Sequence, residues 1–159
     1  MSNLQFFKDY ILYNSEGKNN KEIIKHHIYK LDDLQIKEVN VNLTIPFELK
    51  QFWREYGYGF FHKNLEFSIY RLLGPELFQM INLKEDFYEF DPILEMYEVY
   101  ENKLIFFQVN EGIYLLIDKE DINEKNAIYY FDEKIADSLE EFLIKFDKDP
   151  HYFEDNSNE

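Results

Sequence analysis

Two short apolar runs, Leu104 to Val109 and Ile113 to Ile117, stand on either side of Asn110-Glu111-Gly112. Short runs of this kind, rich in β-branched and aromatic residues and joined by a three-residue link containing glycine, read as a β-hairpin. The hairpin commits the chain to an antiparallel sheet, and further strand signals flank it. Leu65, Phe67 and Ile69 alternate with polar neighbours, and Ala127 to Phe131 reads as another strand. Phe106 and Phe107 fall on opposite faces of their strand, so at least one belongs to the core and the other faces a helix or a partner.

Helical patterns lie on both sides of this β-rich stretch. Leu4, Phe7 and Ile11 share a helical face within Asn3 to Asn14, and Ile24, Ile28 and Leu31 predict a second helix over Lys21 to Leu31. Leu34 to Leu43 is ambiguous, since Val39, Val41 and Leu43 alternate as in a strand. Ile45, Leu49, Phe52, Trp53 and Tyr56 mark one face of a clearer helix. Pro46 suits its first turn, and Gly57 suits the position just past its end. Gly59 then allows a sharp turn. Trp53 lies on the apolar face, which favours the core over a binding anchor. Pro75 to Leu83 reads as a short helix starting at a proline, and the shared face of Ile135, Leu139, Phe142, Leu143 and Phe146 predicts a last one. Ser138 and Glu141 have capping-box spacing there, with Asp137 as the competing cap, and Pro150 ends the helix. Helices, then strands, then a helix predict one α+β domain, mainly an antiparallel sheet packed with N-terminal and C-terminal helices.

A chain of 159 residues suits a single domain, and 45% hydrophobic with 19% aromatic residues can supply its core. The 32 acids against 17 bases give a net charge of −15. That balance argues against neutralising the phosphates of DNA or RNA, or adhering to anionic lipid. There is no cysteine, hence no disulfide, thiolate nucleophile or Cys-ligated metal. No apolar stretch reaches spanning length and no basic-then-apolar leader opens the chain, so a cytoplasmic location is expected.

The charge is unevenly placed. Residues 1–64 carry nine bases and eight acids, whereas residues 65–159 carry eight bases and 24 acids. The densest part runs from Glu85 to Asn102, with Glu85, Asp86, Glu89, Asp91, Glu95, Glu98 and Glu101 and no base. Phe87, Tyr88, Phe90, Tyr97 and Tyr100 lie among them. A purely acidic run would be a solvated tract, but interleaved aromatics let this one pack. It reads either as an amphipathic cover for the sheet or as a surface for a basic partner, since a single-sign face speeds encounter with the opposite charge. The expected contact set is Glu85, Asp86, Glu89, Asp91, Glu95 and Glu98, with Phe87, Tyr88 and Tyr97 as apolar anchors.

Catalytic signatures are wanting. The five glycines are scattered, Gly57-Tyr58-Gly59 follows a helix rather than a strand, and Ser68 and Ser138 have no flanking glycines. His26, His27, His62 and His151 show no ligand spacing beyond a lone Glu22/His26 pair. Carboxylate pairs are unavoidable among 32 acids and carry no specificity.

Three stretches, in order, resemble the SUKH superfamily, whose bacterial members include immunity proteins of polymorphic toxin systems. They are Ile45 to Gly59, with its Ile-Pro, helix and Gly-Tyr-Gly; Leu104 to Phe107 followed by Asn110 to Asp118; and Ile128-Tyr-Tyr followed by Ile135 to Leu143. The resemblance covers residues 34 to 147. Outside that span the residues themselves predict a helical N-terminal extension over 1–33 packed on the domain and a frayed acidic tail over 148–159; the resemblance implies a single α+β domain. It also implies a non-catalytic protein without a cofactor, and architectural roles for Pro46, Trp53, Gly57, Gly59, Phe106, Phe107, Asp118 and Ser138. The expected partner is a basic toxin domain of the nuclease kind, with no direct nucleic-acid or membrane binding. A scaffold or regulatory adaptor of the same fold, and a small-molecule binder with a sheet-lined pocket, are the alternatives.

Overall fold

The computed structural model describes residues 2–12, 25–65 and 69–154. Its centre is the expected hairpin, β5 (Lys103–Asn110) and β6 (Ile113–Asp118). Around it run β1 (Ile11–Leu12), β2 (His27–Tyr29), β3 (Tyr58–Phe60), β4 (Arg71–Leu72), β7 (Ile128–Tyr130) and β8 (Glu133–Ala136). The eight strands form one sheet in chain order. Every neighbouring pair is antiparallel except β1 and β2, which run parallel. The helices are α1 (Asp33–Lys37), α2 (Phe47–Glu55), α3 (Pro75–Asn82), α4 (Pro92–Glu95) and α5 (Leu139–Lys148). The architecture is a single α+β domain.

Several expectations change at this level. The N-terminal helix is a 3-10 helix, Ser2–Tyr10, whose three-residue repeat buries Leu4 and Phe7, and Ile11 already belongs to β1. The helix expected over 21–31 falls partly on residues 21–24, outside the described residues. Its described part contains β2, with His26 and Ile28 facing inward at period two. A buried histidine counts as polar in a hydrophobic pattern, so the shorter period was hidden. Thus the first 33 residues supply two strands of the sheet rather than a purely helical extension. The alternation of Val39, Val41 and Leu43 belongs to a loop after α1, with Val39 and Leu43 buried and Val41 exposed. Of the strand expected around Leu65 to Ile69, residues 66–68 lie outside the described residues, and β4 begins at Arg71.

The Gly-Tyr-Gly motif has a steric cause. Gly57 ends α2 with φ +124°, and a Cβ there would lie 2.0 Å from the Tyr29 carbonyl oxygen. Gly59, opposite Ile28, would likewise place a Cβ 2.0 Å from the His27 oxygen. Both glycines let β3 close against β2. Pro46 occupies the cap position before α2, one residue ahead of the expected first turn, where it owes no hydrogen bond.

A β-bulge decides the fate of Phe106 and Phe107. The register with β6 shifts between Ile105 and Phe107, so the alternation breaks and both rings reach Phe142 of α5, at 6.0 and 5.5 Å between centroids. Both are fully buried, and neither faces a partner. Asn82, at the end of α3, stitches the bulge: its Oδ1 accepts from the Ile105 N–H, and its Nδ2 donates to the Ile105 oxygen. Trp53 is core, packed edge-on to Phe78 with Nε1 donating to the Leu73 oxygen at 2.9 Å.

Ser138 caps α5 by accepting from the Glu141 N–H at 3.0 Å, and Asp137 does not compete. Ile135 belongs to β8 rather than to that helix. Beyond Pro150 the chain turns back. Phe153 is buried and Tyr152 donates its hydroxyl to the Ile135 oxygen, so the segment as far as Glu154 is packed rather than frayed.

Candidate protein-interaction surface

The acidic segment after α3 folds as a 3-10 turn (Asp86–Tyr88), then α4, then further turns into β5. One set of its side chains holds it down. Leu94 and Tyr97 are buried, and Tyr88, Ile93 and Tyr100 are half-buried against the core. Tyr97 stacks on Phe131 at 5.7 Å, and its hydroxyl accepts from the Tyr114 N–H at 2.9 Å. Burial raises the Tyr97 pKa, so that hydroxyl stays protonated at neutral pH. Tyr97 is therefore a fastening of the segment and is withdrawn as a partner anchor.

The remaining side chains face solvent. Phe87 is 83% exposed and Phe90 85%, with Met96 at 58% and Val99 at 75%. Asp86, Glu89, Glu95 and Glu98 are exposed beside them. Not every expected acid is unengaged. Asp91 caps α4 by accepting from the Ile93 N–H, Glu85 accepts from Gln79, and Glu98 pairs with Lys84. Sequence reasoning took Phe87 and Tyr88 as anchors. It passed over Phe90, Met96 and Val99, because a helical wheel has no meaning across 3-10 turns and a broken helix. Exposed large apolar side chains gathered in one short segment mark an interaction surface more strongly than acidity does.

Besides a small cleft of about 180 Å³ at Leu94, Tyr97 and Glu98, two clefts border this segment. One, of about 400 Å³, is lined by Glu38, Gln79, Glu85 and Asp86 among others. The second, of about 300 Å³, holds Tyr58, Arg71 and Tyr88. Gln35, Pro75, Glu76 and Met80 line both, so they form one groove between α1 and α3. A broader cleft of about 720 Å³ lies elsewhere, where α2, the 123–125 turn and α5 meet.

Two buried polar clusters invite a chemical reading. Glu48 of α2 is buried, and its carboxylate accepts from the N–H groups of Asn126, Leu139 and Glu140 at 2.6, 2.9 and 3.3 Å. Burial pushes its pKa up, and those backbone donors oppose the shift. This knot ties α2 to the start of α5 and to the loop after β6. Near that loop Asp118 pairs with Lys103 at 3.6 Å and accepts from the Tyr129 hydroxyl.

The second cluster joins His26, His62, Lys25 and Asp147. His26 Nδ1 accepts from the His62 N–H, so Nε2 carries the proton and donates to Asp147 at 2.7 Å. Burial lowers the His26 pKa to about 4, ahead of the opposing Asp147 hydrogen bond. Burial would raise Asp147, but hydrogen bonds from His26 and Lys25 override it and hold the carboxyl below its usual range. The pair has the composition of a catalytic dyad, yet the His26 ring is fully buried and both nitrogens are engaged. Among the described residues no three His, Asp or Glu side chains come together as a metal site. No helix of the described residues is long and apolar enough to cross a membrane.

A single α+β domain, with an antiparallel sheet between end helices and an acid-rimmed apolar segment beside a groove, is the class of protein these features define. The chain belongs to the SMI1-KNR4 cell-wall family (SUKH_6), which it matches over residues 31–143. It is 42% identical over 141 residues to the "Immunity protein YxxD" of Bacillus subtilis (strain 168), an alignment covering 87% of this chain and 92% of that relative. No solved structure matches.

Proposed function

We propose that this protein is an immunity protein that binds a cognate toxin domain and neutralises it by occupancy, without catalysis. Support comes from the close relative of that name, which aligns over most of both chains. The single structural observation that carries the reading is the exposure of Phe87, Phe90, Met96 and Val99 within an acidic segment fastened from beneath. Apolar anchors supply affinity, and the surrounding carboxylates steer a basic partner and reject acidic ones. A nuclease toxin fits that charge, because an enzyme that holds phosphates carries basic surface. The contact set is Glu85, Asp86, Phe87, Tyr88, Glu89, Phe90, Asp91, Glu95 and Glu98, with the inhibitor acting in the cytoplasm.

The test is capture from the native host with a tagged chain, followed by expression of the captured protein in cells lacking this one. Killing that is relieved by co-expression supports the reading; a harmless captured protein points to a scaffold or adaptor instead. Reversal of Glu85, Asp86 and Glu89 to lysine then slows association and flattens its salt dependence. Association kinetics unchanged at low and high salt would remove this surface from the interface.

A further inference from the structure

Arg71 is anomalous in this molecule. It lies in β4, and its guanidinium carbon sits 5.2 Å from the centroid of the Phe60 ring. Its Nε is buried without a hydrogen-bond partner, the one such side-chain nitrogen or oxygen among the described residues. No ion pair among the described residues engages it, although the domain holds 32 acids. Stacking on Phe60 stabilises the cation but leaves the Nε–H without an acceptor. A buried donor without a partner is costly, and its persistence in a fold otherwise well satisfied calls for an explanation. Arg71 also borders the groove described above. Tyr58, Leu77 and Met80 give that end of the groove apolar walls, Glu76 lines both ends, and Glu38, Glu85 and Asp86 add three more carboxylates at the far end.

We propose that this groove receives a loop of the toxin that presents one carboxylate to Arg71, flanked by basic side chains lying along the acidic rim. The proposal deepens the immunity reading and rests on it. Charge complementarity selects the occupant. A planar carboxylate matches the guanidinium fork and supplies the counter-ion that no ion pair among the described residues gives Arg71. A phosphate or nucleic-acid strand would bring its charge against the acidic rim, whereas ammonium groups beside a lone carboxylate satisfy both ends. Arg71 thus sets register in a complex whose affinity comes from the neighbouring apolar anchors.

The experiment uses the full chain and short peptides, with the Arg71 Nε–H resonance followed by NMR. Acetyl-Lys-Asp-Lys-amide is compared with acetyl-Lys-Asn-Lys-amide and with inorganic phosphate. The Asp peptide should shift the resonance saturably, at least about fivefold more tightly than the Asn peptide. Arg71→Lys, which keeps the charge, should bind the Asp peptide more weakly because it cannot fork. Should Arg71→Lys fail to fold, Glu85→Lys with Asp86→Lys serves instead, weakening the Lys-Asp-Lys peptide while sparing acetyl-aspartate amide. Equal binding of the two peptides, or no shift with either, overturns the proposal. An equal response to phosphate also overturns it, leaving a general anion site. Those outcomes leave the immunity reading standing, since toxin capture and relief of killing test it separately.

Discussion

Lowering the pH from neutrality should destabilise this domain through His26, well before most carboxylates are protonated. The ring is fully buried and neutral, with one nitrogen accepting from the His62 N–H and the other donating to Asp147. Its pKa falls from 6.5 to about 4 on folding, chiefly because burial penalises the cation. A base with a depressed folded pKa contributes stability that is present above its unfolded pKa and lost as pH falls towards the folded one. Between those values the unfolded chain binds a proton that the native chain refuses. At 1.36 kcal/mol per unit, the whole interval amounts to about 3 kcal/mol, of which about 1.5 kcal/mol is lost between pH 6.5 and about pH 5. Burial also lowers His62 and His27, so the observed slope should exceed that of one proton. Urea unfolding at a series of pH values, followed by the fluorescence of Trp53, the single tryptophan, measures it. His26→Gln keeps a donor for Asp147 but cannot titrate. It should be less stable at neutral pH and lose about one proton's worth of slope. Identical slopes for the two proteins would refute the assignment of the pH dependence to His26.

Other consequences follow from the same geometry. Glu48→Ala strands the N–H groups of Asn126, Leu139 and Glu140 and should cost about 3 to 5 kcal/mol in chemical denaturation; a loss below about 1 kcal/mol would mean that water replaces the carboxylate. Gly59→Ala forces a methyl group against the His27 oxygen and should cost about 3 kcal/mol or more, with accelerated amide exchange in β2 and β3; near-wild-type exchange would contradict the close approach. Phe87→Ser and Phe90→Ser remove exposed rings and should change stability by less than about 0.5 kcal/mol while weakening toxin capture. Unaltered capture by both variants would place the interface elsewhere.

Regular elements were legible wherever one signal dominated. The Asn110-Glu111-Gly112 link fixed the central hairpin, the apolar face from Leu49 to Tyr56 fixed α2, and Ser138 with Glu141 fixed the start of α5. Legibility failed at β2, because His26, the inward residue just before the strand, is polar by composition and apolar by environment. For the surface, the sequence supplied its acidity and its aromatics but could not say which aromatics turn outward. Tyr97 and Phe90 have the same standing in the chain, and only packing against Tyr114 and Phe131 separates the buried ring from the exposed one.

What the sequence by itself determined was the class of fold, its antiparallel centre and the sign of its surface charge. Those depend on local period, turn chemistry and composition, which act over a few residues. Tertiary structure alone decided the bulge that turns Phe106 and Phe107 to the same helix, the Glu48 knot and the unpaired Arg71. Each depends on atoms brought together from distant parts of the chain. Desolvation then gives an ordinary side chain a role that its neighbours in sequence do not announce.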